Sequence, residues 1–402
     1  MQFCLAVPTY WTFPGAAGQG DLFFDHPTPL DAAGTLHRCL DSLLPLASPQ
    51  VTILVVAAAT SDALADQVAA RVGEILAGYP PTVRPRLFAA AQLARLHRFC
   101  QSQGRAAFLP LLSLQGYGAI RNLTLVAANL LAAEVLVSLD DDEIIPGPHF
   151  LARLGEDLAL LVREQSIFGL AGLYESPQGD ILLAEPTGAW VRFWPKTRWL
   201  NEAFQELAGP GPALRPTPLA LGGNMAIPAA LYRFLPFDPL LPRGEDTDYV
   251  LNARMFGVPF FLDAGLRVVH DPPAKPHPLW QRLRQDLQRF WYTRQKLLAQ
   301  EPGLVPVLVR PTDLWPYPGK FLTADLELRA YRAHTALAQE YLAAGDVDAA
   351  QATLANLAIL STPPEGSAAL ATYLASVALW QQLQSWLAQP EVRAAALEAI
   401  WG

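Results

Sequence analysis

The sequence predicts an α/β fold, a mostly parallel sheet with helices on both faces, followed by an α-helical C-terminal region. Short apolar runs ending in turn residues alternate with segments of helical periodicity from Met1 to about His270. From Leu279 onward the strand-like runs stop and helical stripes continue to the end. The chain has 402 residues and is 51% hydrophobic, enough for two domains. The change in texture divides it into 1–278 and 279–402.

Gln2–Pro8 reads as a short apolar strand, followed by a Gly- and Pro-rich loop from Phe13 to about Leu30. Leu36, Leu40, Leu43 and Leu44 place a helix over Thr35–Leu46. Val51–Ala57 is a second buried strand. Leu64, Val68, Val72 and Leu76 recur at steps of four and predict a helix over Asp62–Ala77. Val83–Ala89 is a weaker strand and Gln92–Gln101 a short helix. A helix over Arg121–Ala133 feeds the strand Val135–Leu139. Further on, Asp248–Phe256 is helical and Leu266–Val269 is a strand. In the last region, Tyr341–Ala350 has the form of a helical-hairpin corner.

Composition narrows the function classes. Net charge is −8 and no long basic run is present, which argues against nucleic acid as a partner. Three scattered cysteines make neither a disulfide framework nor a zinc pattern; they fit a reducing, cytoplasmic compartment. The N-terminal run lacks the positive flank of a signal peptide. Leu123–Leu139 is interrupted by Thr124, Asn129, Glu134 and Ser138, so no membrane-spanning helix is expected.

The most informative segment is Glu134–Glu143, an apolar strand that ends in three aspartates. Buried carboxylates at a strand end are unfavourable unless a cation sits among them. Asp140 and Asp142 are two apart and in extended chain face one side, a disposition that suits Mg²⁺ or Mn²⁺. Asp141 then points away. Ligands of such sheets bind outside the carboxyl ends of strands, so Pro8–Tyr10 and Asp140–Asp142 are expected on one rim.

Several segments, in order, resemble the family 2 glycosyltransferases of GT-A fold. They are Val7–Tyr10, Arg38–Leu43, Ile120–Asn122, the acid cluster with Pro146, Gly222–Met225, Glu245–Asp246 and His270. The resemblance covers roughly Met1–Pro273. It implies a nucleotide-sugar donor bound by Pro8, Thr9, Tyr10, Arg121, Asn122, Asp140, Gly223 and Asn224. It implies a metal held by Asp140, Asp142 and His270, and catalysis by Asp246 with Glu245 beside it. Two departures concern the donor. The second strand, which in the family ends in a base-reading aspartate, has only a displaced Asp62 here, and the loop after Tyr10 is longer.

Each of these residues also has a plainer reading. Glu245 and Asp246 suit a helix N-terminus, where the dipole favours acids; the functional reading makes Asp246 a general base. His270 is either a half-buried residue capped by Asp271 or a metal ligand. Arg121 and Asn122 at a helix start form an anion site or an ordinary cap. Gly222–Asn224 is a tight turn or a close backbone approach to the sugar. Trp190, Phe193, Trp194 and Trp199 either wall an acceptor site or fill the core. The helix 279–298 carries an apolar stripe with Arg282, Arg284, Arg289, Arg294 and Lys296. It either makes peripheral contact with an anionic membrane or packs on its own protein. His26, His37 and His277 read as structural.

The expected activity is metal-dependent transfer of a sugar from a nucleotide-sugar donor to a glycan, lipid or small-molecule hydroxyl, with inversion through Asp246; retention is the open alternative, since related folds do both. A nucleotidyltransferase would need a Gly-rich loop bearing lysine, and Gly15–Gly20 contains neither lysine nor arginine. A non-catalytic scaffold would not require the acids at Asp140, Asp142 and Asp246.

Overall fold

The computed structural model describes residues 1–15, 20–361 and 369–402. The middle of the Gly-rich loop, residues 16–19, lies outside the described residues. In chain order the strands are β1 (Phe3–Thr12), β2 (Thr28–Pro29), β3 (Val51–Ala59), β4 (Arg86–Phe88), β5 (Val135–Ser138), β6 (Glu143–Ile144), β7 (Gly169–Glu175), β8 (Leu214–Pro216), β9 (Met225–Pro228) and β10 (Phe260–His270). The helices of the first part are α1 (Leu36–Leu43), α2 (Ala65–Ala77), α3 (Ala90–Ser102), α4 (Tyr117–Leu130), α5 (Phe150–Leu161), α6 (Lys196–Ala208), α7 (Ala229–Tyr232) and α8 (Glu245–Met255). The later ones are α9 (Leu279–Leu298), α10 (Leu326–Ala343), α11 (Val347–Ala355), α12 (Ala369–Leu387) and α13 (Pro390–Trp401).

The fold class expected from the sequence is the one observed. The strands form one sheet in the order β4-β3-β1-β5-β9-β7-β10-β6, with β2 on β1 and β8 on β10. Pairings among β4, β3, β1 and β5 are parallel; β9 runs antiparallel between β5 and β7. Both faces are covered, and the period of two shows it. On β1, Phe3, Leu5, Val7 and Trp11 join one apolar cluster with α1, α2 and α5. Cys4, Ala6 and Tyr10 join the other, with α3, α4, α8 and the C-terminal helices.

Two registers create the site. β5 pairs with β1 only over Phe3–Ala6, whereas β3 follows β1 as far as Trp11. Thr9 and Tyr10 are therefore still on the strand, not beyond its end as the sequence suggested. The space that β5 vacates beside them is taken by the acid turn. That turn, Leu139–Asp142, leads directly into β6, which pairs antiparallel with the end of β10 and sets His270 opposite Glu143. A register break against β7, between Leu262 and Arg267, interrupts β10 before its carboxyl half resumes pairing at Arg267.

The C-terminal helices share the core of the sheet. Trp380 of α12 is fully buried and donates its indole N–H to the Tyr232 carbonyl at 2.8 Å. Asn129 of α4 donates to the Gln384 carbonyl and side-chain oxygen at 2.8 and 2.7 Å. Trp401 donates to the Leu87 carbonyl at 2.8 Å. α10 and α11 form the helical corner seen in the sequence, with Asp346 capping the Ala349 N–H at 2.9 Å. Trp380→Ala is expected to destabilise the whole chain by about 3–5 kcal/mol, the usual effect of emptying a large aromatic site. In urea, a single transition should shift; a separate early transition for the helical region would contradict the shared core.

Two sequence readings are corrected here. The apolar stripe of α9 is covered by protein: Leu283, Leu287, Phe290 and Leu297 are buried, as are Arg289 and Lys296. Lys296 pairs with Asp238 and Asp248 at 3.0 and 2.8 Å. Contact of 279–298 with a membrane is thus replaced by internal packing. Among the described residues no helix is long and apolar enough to cross a membrane. Trp190, Trp194 and Trp199 are also buried, with Trp194 packed on Phe290 and Phe321 at centroid distances of 5.9 and 4.7 Å. They fill the junction between the region around α6 and the later helices and do not wall an acceptor site.

Candidate active site

A cavity of about 490 Å³ opens at the carboxyl ends of β1, β5, β7 and β10. Tyr10, Arg121, Asp140, Asp141, Gly222, Glu245, Asp246 and His270 all line it. Residues from six separate segments of the chain thus meet on the rim where such sheets bind ligands.

The acid turn is held by local hydrogen bonds. Thr9 Oγ1 donates to Asp141 Oδ2 at 2.5 Å, and Glu143 Oε2 accepts the Asp140 N–H at 2.9 Å. Burial, then the neighbouring Asp142 charge, pushes the Asp141 carboxyl up to about 8. Burial followed by Asp140 and Asp142 raises Glu143 as well. Burial thus favours the neutral form of both acids.

Asp142 lies just beneath the cavity surface, 2% exposed. The Nε2 atoms of His26 and His270 stand 3.3 and 3.5 Å from its Oδ2. Both contacts are long, and neither carboxylate oxygen has an aligned hydrogen-bond donor. Burial opposes the charge, yet His270 and His26 hold this carboxyl below its usual range. Oxygens of Asp140, Asp142 and Glu143 all come within 4.8 Å of one another. Two orphaned buried oxygens facing two imidazoles and further carboxylates are a donor set that fits a divalent cation. His270 is steadied by its ring contact with Tyr174 at 4.8 Å.

Arg121 ties the two acid groups together. Its guanidinium donates to Ser138 Oγ at 2.6 Å, pairs with Asp140, and reaches Glu245 Oε1 at 3.4 Å. It lies in the second turn of α4, which begins at Tyr117, so the helix-start anion site expected from the sequence is not present. α8 begins earlier than expected, at Glu245, after Gly244 adopts a left-handed φ of 76°. Glu245 and Asp246 therefore occupy its first turn, where the dipole favours them. Burial, with the Asp246 charge next, pushes Glu245 up to about 7. Asp246 Oδ2 accepts the Gly222 N–H at 3.0 Å and Oδ1 accepts the Thr247 N–H at 2.6 Å.

Several expected donor contacts lie behind the wall. Pro8 and Thr9 are buried. Asn122 grips Phe237, donating to its carbonyl at 2.9 Å and accepting its N–H at 2.8 Å. Asn224 donates to the Leu173 and Leu266 carbonyls at 3.0 and 2.9 Å. Gly223 faces Glu143, where a Cβ would come within 2.0 Å of Oε1. These side chains shape the cavity by fixing backbone and do not reach into it. Asp62, the displaced base-reader, bonds Gln115 Nε2 at 3.3 Å outside this cavity. His277 is structural as expected, its Nε2 2.6 Å from the Phe24 carbonyl. His26 is not; the long loop after β1 carries it to Asp142. The aromatic pair Phe23–Phe24 within a polar loop was the signal, since Phe24 stacks on Tyr10 at 4.3 Å and anchors that loop.

A raised carboxyl pKa has a sign for stability. The folded state holds its proton more tightly than the unfolded chain, so the contribution is full below about pH 4 and lost as pH rises toward 8. In the metal-free protein Asp141 therefore contributes more to the melting temperature at pH 5 than at pH 8. Asp141→Asn should reduce that difference, read as melting temperature against pH.

No protein-family model matches the chain, and no curated protein sequence does. Solved structures do. The chain is similar to a mannosyltransferase from Pyrobaculum calidifontis in complex with GDP-Man and Mn²⁺, at 16% identity and TM-score 0.44, covering 100% of this chain and 87% of that one. It is similar to S. aureus TarS, at 14% identity and TM-score 0.42 over 88% and 90% of the two chains. A third is glucosyl-3-phosphoglycerate synthase from Mycobacterium tuberculosis with Mn²⁺, UDP-Glc and phosphoglyceric acid, at 16% identity and TM-score 0.37 over 72% and 77%.

Proposed function

We propose that the protein is a metal-dependent glycosyltransferase of GT-A type that moves a sugar from a nucleotide-sugar donor to an acceptor hydroxyl. The observation that carries this reading is Asp142: a buried carboxylate with both oxygens undonated, beside His270 and His26, which with Asp140 line the cavity. Asp142, Asp140 and His270, joined by His26, would hold Mn²⁺ or Mg²⁺. The ion supplies charge neutralisation of the leaving nucleoside diphosphate. Arg121 fixes Asp140, and Tyr10 lines the donor side, stacked on Phe24.

Asp246 is the proposed general base. Two backbone N–H groups lock its carboxylate where it lines the cavity, so an acceptor hydroxyl can approach a fixed oxygen. Direct attack from there inverts the anomeric carbon. Glu245 is the second candidate, on the observation that its carboxyl is pushed up to about 7. Residues 1–278 supply the donor side, and the region 279–402 reaches the cavity through Arg289 of α9. Three buried free cysteines fit a cytoplasmic setting.

Calorimetric titration with UDP, GDP, ADP and CDP, each with Mn²⁺ and with chelator, tests the reading. One nucleotide should bind in a Mn²⁺-dependent manner, and its sugar conjugate should be hydrolysed slowly. Equal binding in chelator, or no binding by any of the four, would remove it.

A further inference from the structure

One stretch of the cavity wall is cationic. Lys196 of α6, Arg243 before α8, Lys275 after β10 and Arg289 of α9 converge on two carboxylates, Asp25 and Asp286. Lys196 Nζ lies 2.8 Å from both oxygens of Asp286. Arg243 bridges, pairing with Asp25 and reaching Asp286 at 3.4 Å. Arg289 Nε is 3.3 Å from Asp286, and Lys275 Nζ is 3.9 Å from Asp25. Four basic side chains face two carboxylates. All four cations line the cavity.

Like charges gathered in a partly desolvated wall repel one another unless an anion joins them. Lys196 feels this: burial, opposed by Asp286 and reinforced by Arg289 and Arg243, pushes its pKa down to about 7. The wall has more positive charge than its own acids neutralise. Its position matters as much. Arg243 and Gly244 immediately precede Glu245 and Asp246, and a Cβ on Gly244 would meet the Arg289 guanidinium. An anion bound here sits beside the proposed base.

We propose that the acceptor bears an anionic group, a phosphate or carboxylate, a few atoms from the hydroxyl that receives the sugar, and that this wall binds it. The proposal rests on the glycosyl-transfer reading above. It excludes a neutral glycan as the preferred acceptor, because no neutral partner relieves the excess charge. The donor's own diphosphate is the other phosphate source that must be told apart.

The test uses the full chain saturated with Mn²⁺ and whichever nucleoside diphosphate binds. Inorganic phosphate, glycerate and uncharged glycerol are then titrated by calorimetry. Phosphate and glycerate should bind alongside the nucleotide, and glycerol should not. Arg243→Met should weaken phosphate binding about tenfold or more, the scale of a charge-assisted contact, without changing nucleotide affinity. Lys275→Met, at a side chain 39% exposed, should weaken it less and is the check on folding. Phosphate that displaces the nucleotide would assign the wall to the donor and overturn the proposal. Absence of phosphate binding while the nucleotide binds would overturn it too. If no nucleotide binds, the glycosyl-transfer reading fails first, and phosphate binding lost in Arg243→Met would leave an anion site without that role.

Discussion

Asp142→Asn should abolish Mn²⁺-dependent nucleotide binding and leave the metal-free fold intact. The carboxamide keeps the shape of a side chain that packs beneath the cavity surface and accepts no aligned hydrogen bond. What it loses is the charge that His270 and His26 help to maintain. Losing even an outer-shell partner typically costs 10–100-fold in metal affinity, so removing a ligand should cost at least about that much. The measurement is melting temperature with nucleotide, with and without Mn²⁺; the Mn²⁺-dependent rise should vanish. Asp141→Asn is the control, because burial favours the neutral form of its carboxyl and Thr9 holds it. A Mn²⁺ response that survives in Asp142→Asn but disappears in Glu143→Gln would move the ion within the cluster.

The acid turn could be read from the sequence because its signal is local. A strand with both faces buried has no reason to end in three aspartates unless they meet something charged. The same holds for β1 and β3, whose uninterrupted apolar runs state that helices cover both sides. What escaped the sequence is what depends on distance along the chain. Asn122 and Asn224 look like polar site residues, yet each spends its amide on a backbone from another segment, Asn122 on Phe237 and Asn224 on Leu173 and Leu266. The basic stripe of α9 looks like a membrane face because the acids that pair with it are remote: Asp238 and Asp248 for Lys296, and Glu327 for Arg294. His26 sits in a loop whose course is set by Phe24 packing on Tyr10, a tertiary contact. The start of α8 moved to Glu245 because Gly244 could take the left-handed turn that admits the helix there.

Asp246→Asn should lower kcat by about 10²–10⁴ with donor and metal affinity unchanged, the usual range for losing a general base. The substitution is nearly isosteric. One of the two backbone N–H groups, from Gly222 or Thr247, keeps an acceptor, and the other faces the amide nitrogen, a local perturbation on the cavity wall. Donor affinity measured by calorimetry therefore serves as the check that the wall has not collapsed. Turnover at saturating donor then reports the base. Glu245 is the competitor, and pH separates the two. A base must be deprotonated, so with Glu245 in that role activity would fall on the acid side of about 7, and Glu245→Gln would eliminate turnover. With Asp246 as base, Glu245→Gln should act through Arg121 and hence through Asp140, raising the donor's KM more than it lowers kcat. Slow donor hydrolysis should persist in Asp246→Asn, because water needs less orientation than an acceptor hydroxyl. Stereochemistry closes the argument: a base that deprotonates the attacking hydroxyl in one displacement must invert the anomeric carbon. A product that kept the donor's configuration would rule out that mechanism even if Asp246 proved essential.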